Sequence, residues 1–118
     1  MSQKNKDSLL AGNAAIAAGN NEGFLELCTE DTVWIFVGER TLKGKQAVRE
    51  YMAATYVDPP EVTVEHLIAE GDFLTAVGEI IMKDDQGVLT RYSYSDVWRF
   101  RGNLLAELKA FVIKIGTV

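Results

Sequence analysis

The chain has 118 residues, 47% of them hydrophobic and 25% charged, with a net charge of −5. This is one domain's worth of ordinary globular composition, able to bury roughly 65% of its unfolded surface, which excludes a disordered or fibrous chain. The acidic balance disfavours nucleic acid as a partner, because phosphate contacts need a basic face, and no apolar run approaches the roughly 18 residues of a membrane span.

Leu9, Leu10, Asn13, Ile16 and Ala17 recur at helical spacing and predict a first helix over residues 2–18. Lys4 and Lys6 precede a run that Gly12 and Asn13 interrupt, so the segment reads as a helix of the mature fold, and a cytoplasmic protein is expected. Asn20 suits the cap of a short second helix with Phe24, Leu25 and Cys28 on its inner side. Cys28 is the only cysteine and His66 the only histidine. That leaves no intrachain disulfide, no Cys/His pair and no structural zinc site, and Cys28 reads as a small core residue. Thr32 to Val37 is a β-branched and aromatic run that predicts a strand, and Arg40 to Leu42 a short partner beyond Gly38. Ala47, Val48, Tyr51, Met52 and Thr55 then form a third helical stripe, which must stop before Pro59-Pro60.

Four extended runs follow: Glu61 to Ala69, Phe73 to Lys83, Val88 to Phe100 and Leu104 to Ile115. The gaps are short and carry turn chemistry, at Glu70-Gly71-Asp72, Asp84-Asp85-Gln86-Gly87 and Arg101-Gly102-Asn103. Short gaps force antiparallel neighbours, so the C-terminal half predicts a four-stranded meander. Three N-terminal helices would cover one of its faces, giving one α+β domain over residues 1–118. Asp84-Asp85 reads as a turn without the third acid of a calcium loop, and Gly38 and Gly44 lack a phosphate-binding pattern, so no metal or cofactor is expected.

Strand parity separates the two faces. Tyr92, Tyr94, Asp96, Trp98 and Phe100 share one face with Leu74, Ala76, Gly78, Ile80 and Met82, and with Leu104, Ala106, Leu108, Ala110 and Val112. The opposite face mixes Glu79, Arg91, Arg99, Glu107 and Lys109 with Leu105, Phe111, Ile113 and Ile115, more apolar surface than a solvated face needs. A second copy of the chain is expected there, in a homodimer. Asp96 is the outlier: a carboxylate in an aromatic stripe on the covered side. An unpaired buried carboxylate costs several kcal/mol or more, so Asp96 must be hydrogen-bonded, ion-paired, protonated or lining a wet cavity. Asn13, an amide on the apolar stripe of the first helix, raises the same question, and the two are placed to face one hollow. His66 shares parity with Val62, Val64 and Ile68 and reads as an edge-strand surface residue.

The order helix, helix, strand, helix, long meander resembles the nuclear-transport-factor-2-like superfamily, in particular its SnoaL-like and ketosteroid-isomerase-like members. The segments that carry the resemblance are Asn21-Glu22-Gly23-Phe24-Leu25-Glu26-Leu27, Asp31-Thr32-Val33-Trp34, Leu42-Lys43-Gly44-Lys45-Gln46-Ala47-Val48-Arg49-Glu50-Tyr51, Ala69-Glu70-Gly71-Asp72 and Tyr94-Ser95-Asp96-Val97-Trp98-Arg99-Phe100. The resemblance implies a cone-shaped, strongly curved antiparallel sheet around a pocket, usually in a homodimer. It matches Asp96 to the oxyanion-hole acid of the isomerases. It sets Ile35 or Phe36 at their general-base position and Asn13 at their tyrosine position, so steroid isomerisation is not expected. Asp96 is then the candidate catalytic residue, with Asn13, Trp34, Ile35, Tyr51, Met52, Tyr92, Tyr94 and Trp98 as candidate ligand-binding residues. Three functions fit: binding of a small apolar or polycyclic molecule anchored by Asp96; an isomerase, cyclase or dehydratase using Asp96 as acid or base; and a non-catalytic dimerisation or interaction domain.

Overall fold

The computed structural model describes residues 2–118. Three helices, α1 (Ser2–Ala17), α2 (Asn21–Leu25) and α3 (Lys45–Thr55), interleave with β1 (Cys28–Phe36) and β2 (Arg40–Lys43). The meander follows as β3 (Glu61–Glu70), β4 (Phe73–Lys83), β5 (Leu89–Arg101) and β6 (Leu104–Thr117). Local chemistry explains the boundaries. The Asn20 side chain accepts the Gly23 N–H at 3.1 Å and caps α2. Gly44 holds φ at +92° on entry to α3, a conformation that side-chain-bearing residues rarely adopt. Helix α3 ends before Pro59.

The six strands form one sheet in the order β2-β1-β6-β5-β4-β3. All neighbours are antiparallel except β1 and β6, which run parallel. That pair departs from a wholly antiparallel sheet because no hairpin joins the two strands, so no turn dictates their relative direction. Helix α1 lies on α2, β3 and β4, and α3 lies on α2, β1 and β2, so the inner face of the sheet is roofed. Phe24, Leu25, Leu9, Val48, Met52, Leu74, Phe100 and Leu105 are its most deeply buried side chains. No helix among the described residues is long and apolar enough to cross a membrane.

Three irregularities overturn simple parity. Strand β1 begins at Cys28, four residues before the expected start, so Cys28 is a strand residue rather than part of the second helix. It remains buried, its thiol lies 3.7 Å from the Phe24 carbonyl, and burial pushes its pKa up to about 12. A register shift between Arg99 and Phe100 sets Arg99 opposite Glu107 but Phe100 opposite Leu105. The extra residue turns Leu105 into the core, while Leu104 becomes 39% exposed, so each sits on the side opposite to expectation. A second shift, between Val64 and His66, turns Leu67 and Ala69 inward and leaves His66 and Ile68 exposed. His66 is the surface residue expected.

Gly78 holds the far edge together. A Cβ there would run into the Thr63 carbonyl, and the Tyr94 hydroxyl stands 3.0 Å from that position. Tyr94 donates to the same carbonyl at 3.2 Å. Glycine therefore lets β3 approach closely enough for a β5 phenol to reach across β4.

Candidate ligand cavity

The roof and the inner face of the sheet enclose a cavity of about 90 Å³. Leu9, Asn13 and Ile16 of α1 line it from above, with Tyr51 of α3 and Tyr56 just beyond it. Trp34 and Phe36 come from β1, Ala76 and Ile80 from β4, and Tyr94, Asp96 and Trp98 from β5. Pockets for drug-sized ligands begin at roughly 300 Å³, so this hollow has the scale of a single ring. A wider groove of about 470 Å³ shares Phe36, Tyr51, Met82 and Val112 with it and forms its vestibule. The vestibule is charged, with Glu39, Arg40, Lys83, Asp84, Asp85 and Lys114 around it. The Arg40 guanidinium lies 5.6 Å above the Tyr51 ring, so a cation–π contact marks the boundary between the two spaces.

Aromatic edges meet aromatic faces in the inner wall. The Trp34 ring stands near-perpendicular to Trp98 at 5.7 Å and to Phe24 at 5.8 Å, and lies 6.4 Å from Tyr51. Such arrangements fix the rings against one another and exclude water. Asp96 sits opposite Ala76 on β4 and Ala110 on β6, two small residues that leave room above its carboxyl. The residue is half-buried, its Oδ1 is sealed from solvent with no hydrogen-bond partner, and no cation among the described residues pairs with it. Burial pushes its pKa from 3.8 up to about 7. Burial also raises Tyr94 to about 12, with the nearby Asp96 as the next cause, and raises Tyr56 through burial, Tyr51 and Asp96. Tyr51 is raised by burial too, and its ring lies 5.9 Å from that of Tyr56. The cavity thus gathers one carboxyl, three phenols that stay protonated and one amide, in an otherwise apolar wall. An acid of this kind can donate a proton or a hydrogen bond near neutral pH.

Asn13, Trp34, Tyr51, Tyr94, Asp96 and Trp98 reach the cavity wall; three other candidates do not. Ile35 points to the opposite face of β1, in register with Thr41 and Lys109, because alternation turns Trp34 and Phe36 inward. The inward strand position is therefore Phe36, the second of the two considered. Met52 is fully buried in the core and is not among the residues lining the cavity. Tyr92 stands in the vestibule, near a register shift in β5 that sets it opposite Lys114. Tyr56 went unforeseen. It caps the C-terminus of α3, four residues after Met52, and its N–H still bonds the Met52 carbonyl at 2.8 Å, so the helical stripe continues one position beyond Thr55.

The SnoaL-like domain family matches residues 10–108. No curated protein matches the chain. Among solved structures, an epoxide hydrolase/cyclase-like enzyme, SalBIII, with a role in pyran ring formation in the polyether salinomycin, superposes with a TM-score of 0.85 at 20% identity, over 95% of this chain and 94% of that one. A putative SnoaL-like polyketide cyclase from Jannaschia sp. has a TM-score of 0.79 at 16% identity, over 93% and 85%. A nuclear-transport-factor-2-like protein from Cytophaga hutchinsonii has a TM-score of 0.74 at 16% identity, over 91% and 97%. At these identities the likeness concerns the fold alone, whereas the family match spans most of the sequence. The chain therefore belongs to the SnoaL-like domain family and has the fold of nuclear-transport-factor-2-like proteins.

Proposed function

We propose that the protein binds a small, ring-sized organic molecule carrying an oxygen function, with the protonated Asp96 carboxyl as its polar anchor. One observation carries this reading: among the described residues, the one carboxyl in the cavity wall has a sealed oxygen with no partner and no neighbouring cation. Desolvation penalises its charged form, so it holds a proton to donate, and the aromatic wall supplies apolar contact. The volume favours a single ring, at the small end of the small apolar or polycyclic class expected from the sequence. Cyclohexanone is a suitable probe, because its carbonyl only accepts hydrogen bonds. Titration followed by amide NMR is expected to shift cavity residues at pH 5.5, more weakly at pH 8.5, and far less in Asp96→Leu. Equal binding by Asp96→Leu at both pH values would defeat the reading.

A second reading is an isomerase, cyclase or dehydratase with Asp96 as its acid, favoured by a pKa near 7 that populates both protonation states. Among the described residues the wall holds no other carboxyl and no histidine, so Asp96 must both give up the proton and recover it. Steroid isomerisation is not expected, since the inward positions on β1 are Trp34 and Phe36. The reading also includes a second copy of the chain on the outer face of the sheet, where Phe111, Ile113 and Ile115 are 41%, 66% and 58% exposed. Arg91–Glu79 and Arg99–Glu107 pairs cross the same face.

A further inference from the structure

Asp96 Oδ1 is not the only unpartnered polar atom in the cavity wall. The indole Nε1 of Trp34 is also sealed from solvent without a hydrogen-bond partner, although Trp34 is only 3% exposed. Buried indole N–H groups normally find an acceptor, because leaving one unmade forfeits the hydrogen bond it had with water. The two side chains rise from β1 and β5, the strands that flank β6. Trp34 is level with Leu108 of β6, and Asp96 with Ala110 one inward position further along, so the two lie on a diagonal across β6 and both line the cavity.

We propose that Trp34 is a specificity-determining residue: its indole N–H donates to the same ligand oxygen that Asp96 anchors. An indole N–H can only donate, whereas a carboxyl can donate or accept. Asp96 alone would admit an alcohol, an amine or a carbonyl. Trp34 restricts the inner polar group to an acceptor, and a carbonyl oxygen, with two lone pairs, takes both donors at once. The ligand class is thus a small cyclic ketone or a similar ring compound whose oxygen accepts without needing to donate. This inference rests on Asp96 being the anchor. The groups facing Asp96 that titrate, Tyr56 and Tyr94, keep their protons well above neutral pH and do not alter the picture between pH 5 and 8.

The test uses the two indole N–H resonances of the full chain, assigned with Trp34→Phe and Trp98→Phe. At pH 5.5, cyclohexanone is expected to move the Trp34 indole proton downfield, and methylcyclohexane, which offers no acceptor, is not. Trp34→Phe keeps a ring in place and should bind cyclohexanone roughly three- to tenfold more weakly, the loss of about one hydrogen bond. Methylcyclohexane binding by that variant measures the change in apolar packing alone, and the ketone is expected to lose affinity beyond that change, which separates the hydrogen bond from a merely repacked wall. The inference is overturned if the Trp34 indole proton lies upfield, over a neighbouring ring face, and ignores the ketone while other cavity residues respond. In that outcome Asp96→Leu still loses binding and the anchor reading survives. If the ketone shifts no cavity resonance in the wild-type protein, both fall together.

Discussion

Asp96 and Asp31 carry the same carboxyl and differ by about five units in acidity. Asp31 lies on the outer rim of β1, where the Arg101 guanidinium pairs with it and holds its pKa down at about 2. Asp96 lies inside the cone, where no cation answers it and burial lifts its pKa to about 7. Glu22 with Arg49 and Asp58 with Lys83 repeat the rim pattern. These three exposed acids are each paired with an exposed base, whereas the interior acid has no cation beside it among the described residues. The two regions therefore have opposite pH signatures, and each can be broken separately.

The largest effect is expected at Asp96. The folded chain holds this proton up to about pH 7, whereas the unfolded chain releases it near 3.8. Between those values the unfolded state binds fewer protons, so stability is full at low pH and is lost as pH climbs through 7. A shift of that size corresponds to a loss on the order of 4 kcal/mol at high pH. Asp96→Asn mimics the protonated acid and removes the loss. Urea melts should show the variant near wild type at pH 4 and more stable by a few kcal/mol at pH 8. A variant that is weaker at pH 8 but harmless at pH 4 would mean that Asp96 is ionised and paired, and would erase the contrast with Asp31.

The next effect sharpens the cavity side of the comparison. Gly78→Ala forces β3 away from β4 at Thr63, and so breaks the Tyr94 contact that ties the edge strand to the inner face. A destabilisation of about 1–3 kcal/mol is expected, the range for overpacking a well-fitted site. Calorimetry of Gly78→Ala beside Tyr94→Phe would separate the steric part from the hydrogen bond. A Gly78→Ala protein as stable as wild type would show that β3 yields freely and that the cavity wall is soft there.

These effects also show what sequence could and could not reveal. Asp96 was legible because β5 runs unbroken from Tyr92 to Arg99, so period two held through it. The helix order and the meander were legible from spacing and turn residues. Leu104, Leu105 and the true facing of Ile68 were not, because single-residue register shifts carry no local signature and reverse every position beyond them. Ile35 shows a conflict between two kinds of inference. Parity already paired Trp34 with Phe36, while resemblance pointed first to Ile35, and the sheet follows parity. Tyr56 was missed for a different reason: the expected stripe of α3 ends at Thr55, although Tyr56 stands four residues after Met52 and keeps the helical bond to its carbonyl.

On the outer face, Ile113→Lys tests the expected homodimer. A charge at the centre of an apolar patch should raise the dimer dissociation constant by roughly tenfold or more, read by analytical ultracentrifugation. It should leave the Asp96 pH profile intact, since Ile113 faces away from the cavity. A wild-type chain that is monomeric at micromolar concentration would remove the second copy from the picture.

The smallest effect lies at the rim and has the opposite sign to that at Asp96. Folded Asp31 loses its proton near pH 2, against 3.8 for an ordinary aspartate, so its contribution is present above that ordinary value and is lost as pH falls through about 2. Asp31 and Arg101 are both well exposed, so water and salt screen the pair and little stability rests on it. Asp31→Asn should therefore leave the melting temperature at pH 7 nearly unchanged, with any small difference shrinking further in 1 M salt. It should also flatten the acid limb of the stability curve slightly without touching the limb above pH 4 that belongs to Asp96. A large, salt-resistant loss in Asp31→Asn would mean that the rim pair is sheltered after all. The contrast between a screened outside and an unscreened inside would then need another cause, with burial by a partner copy as the first to examine.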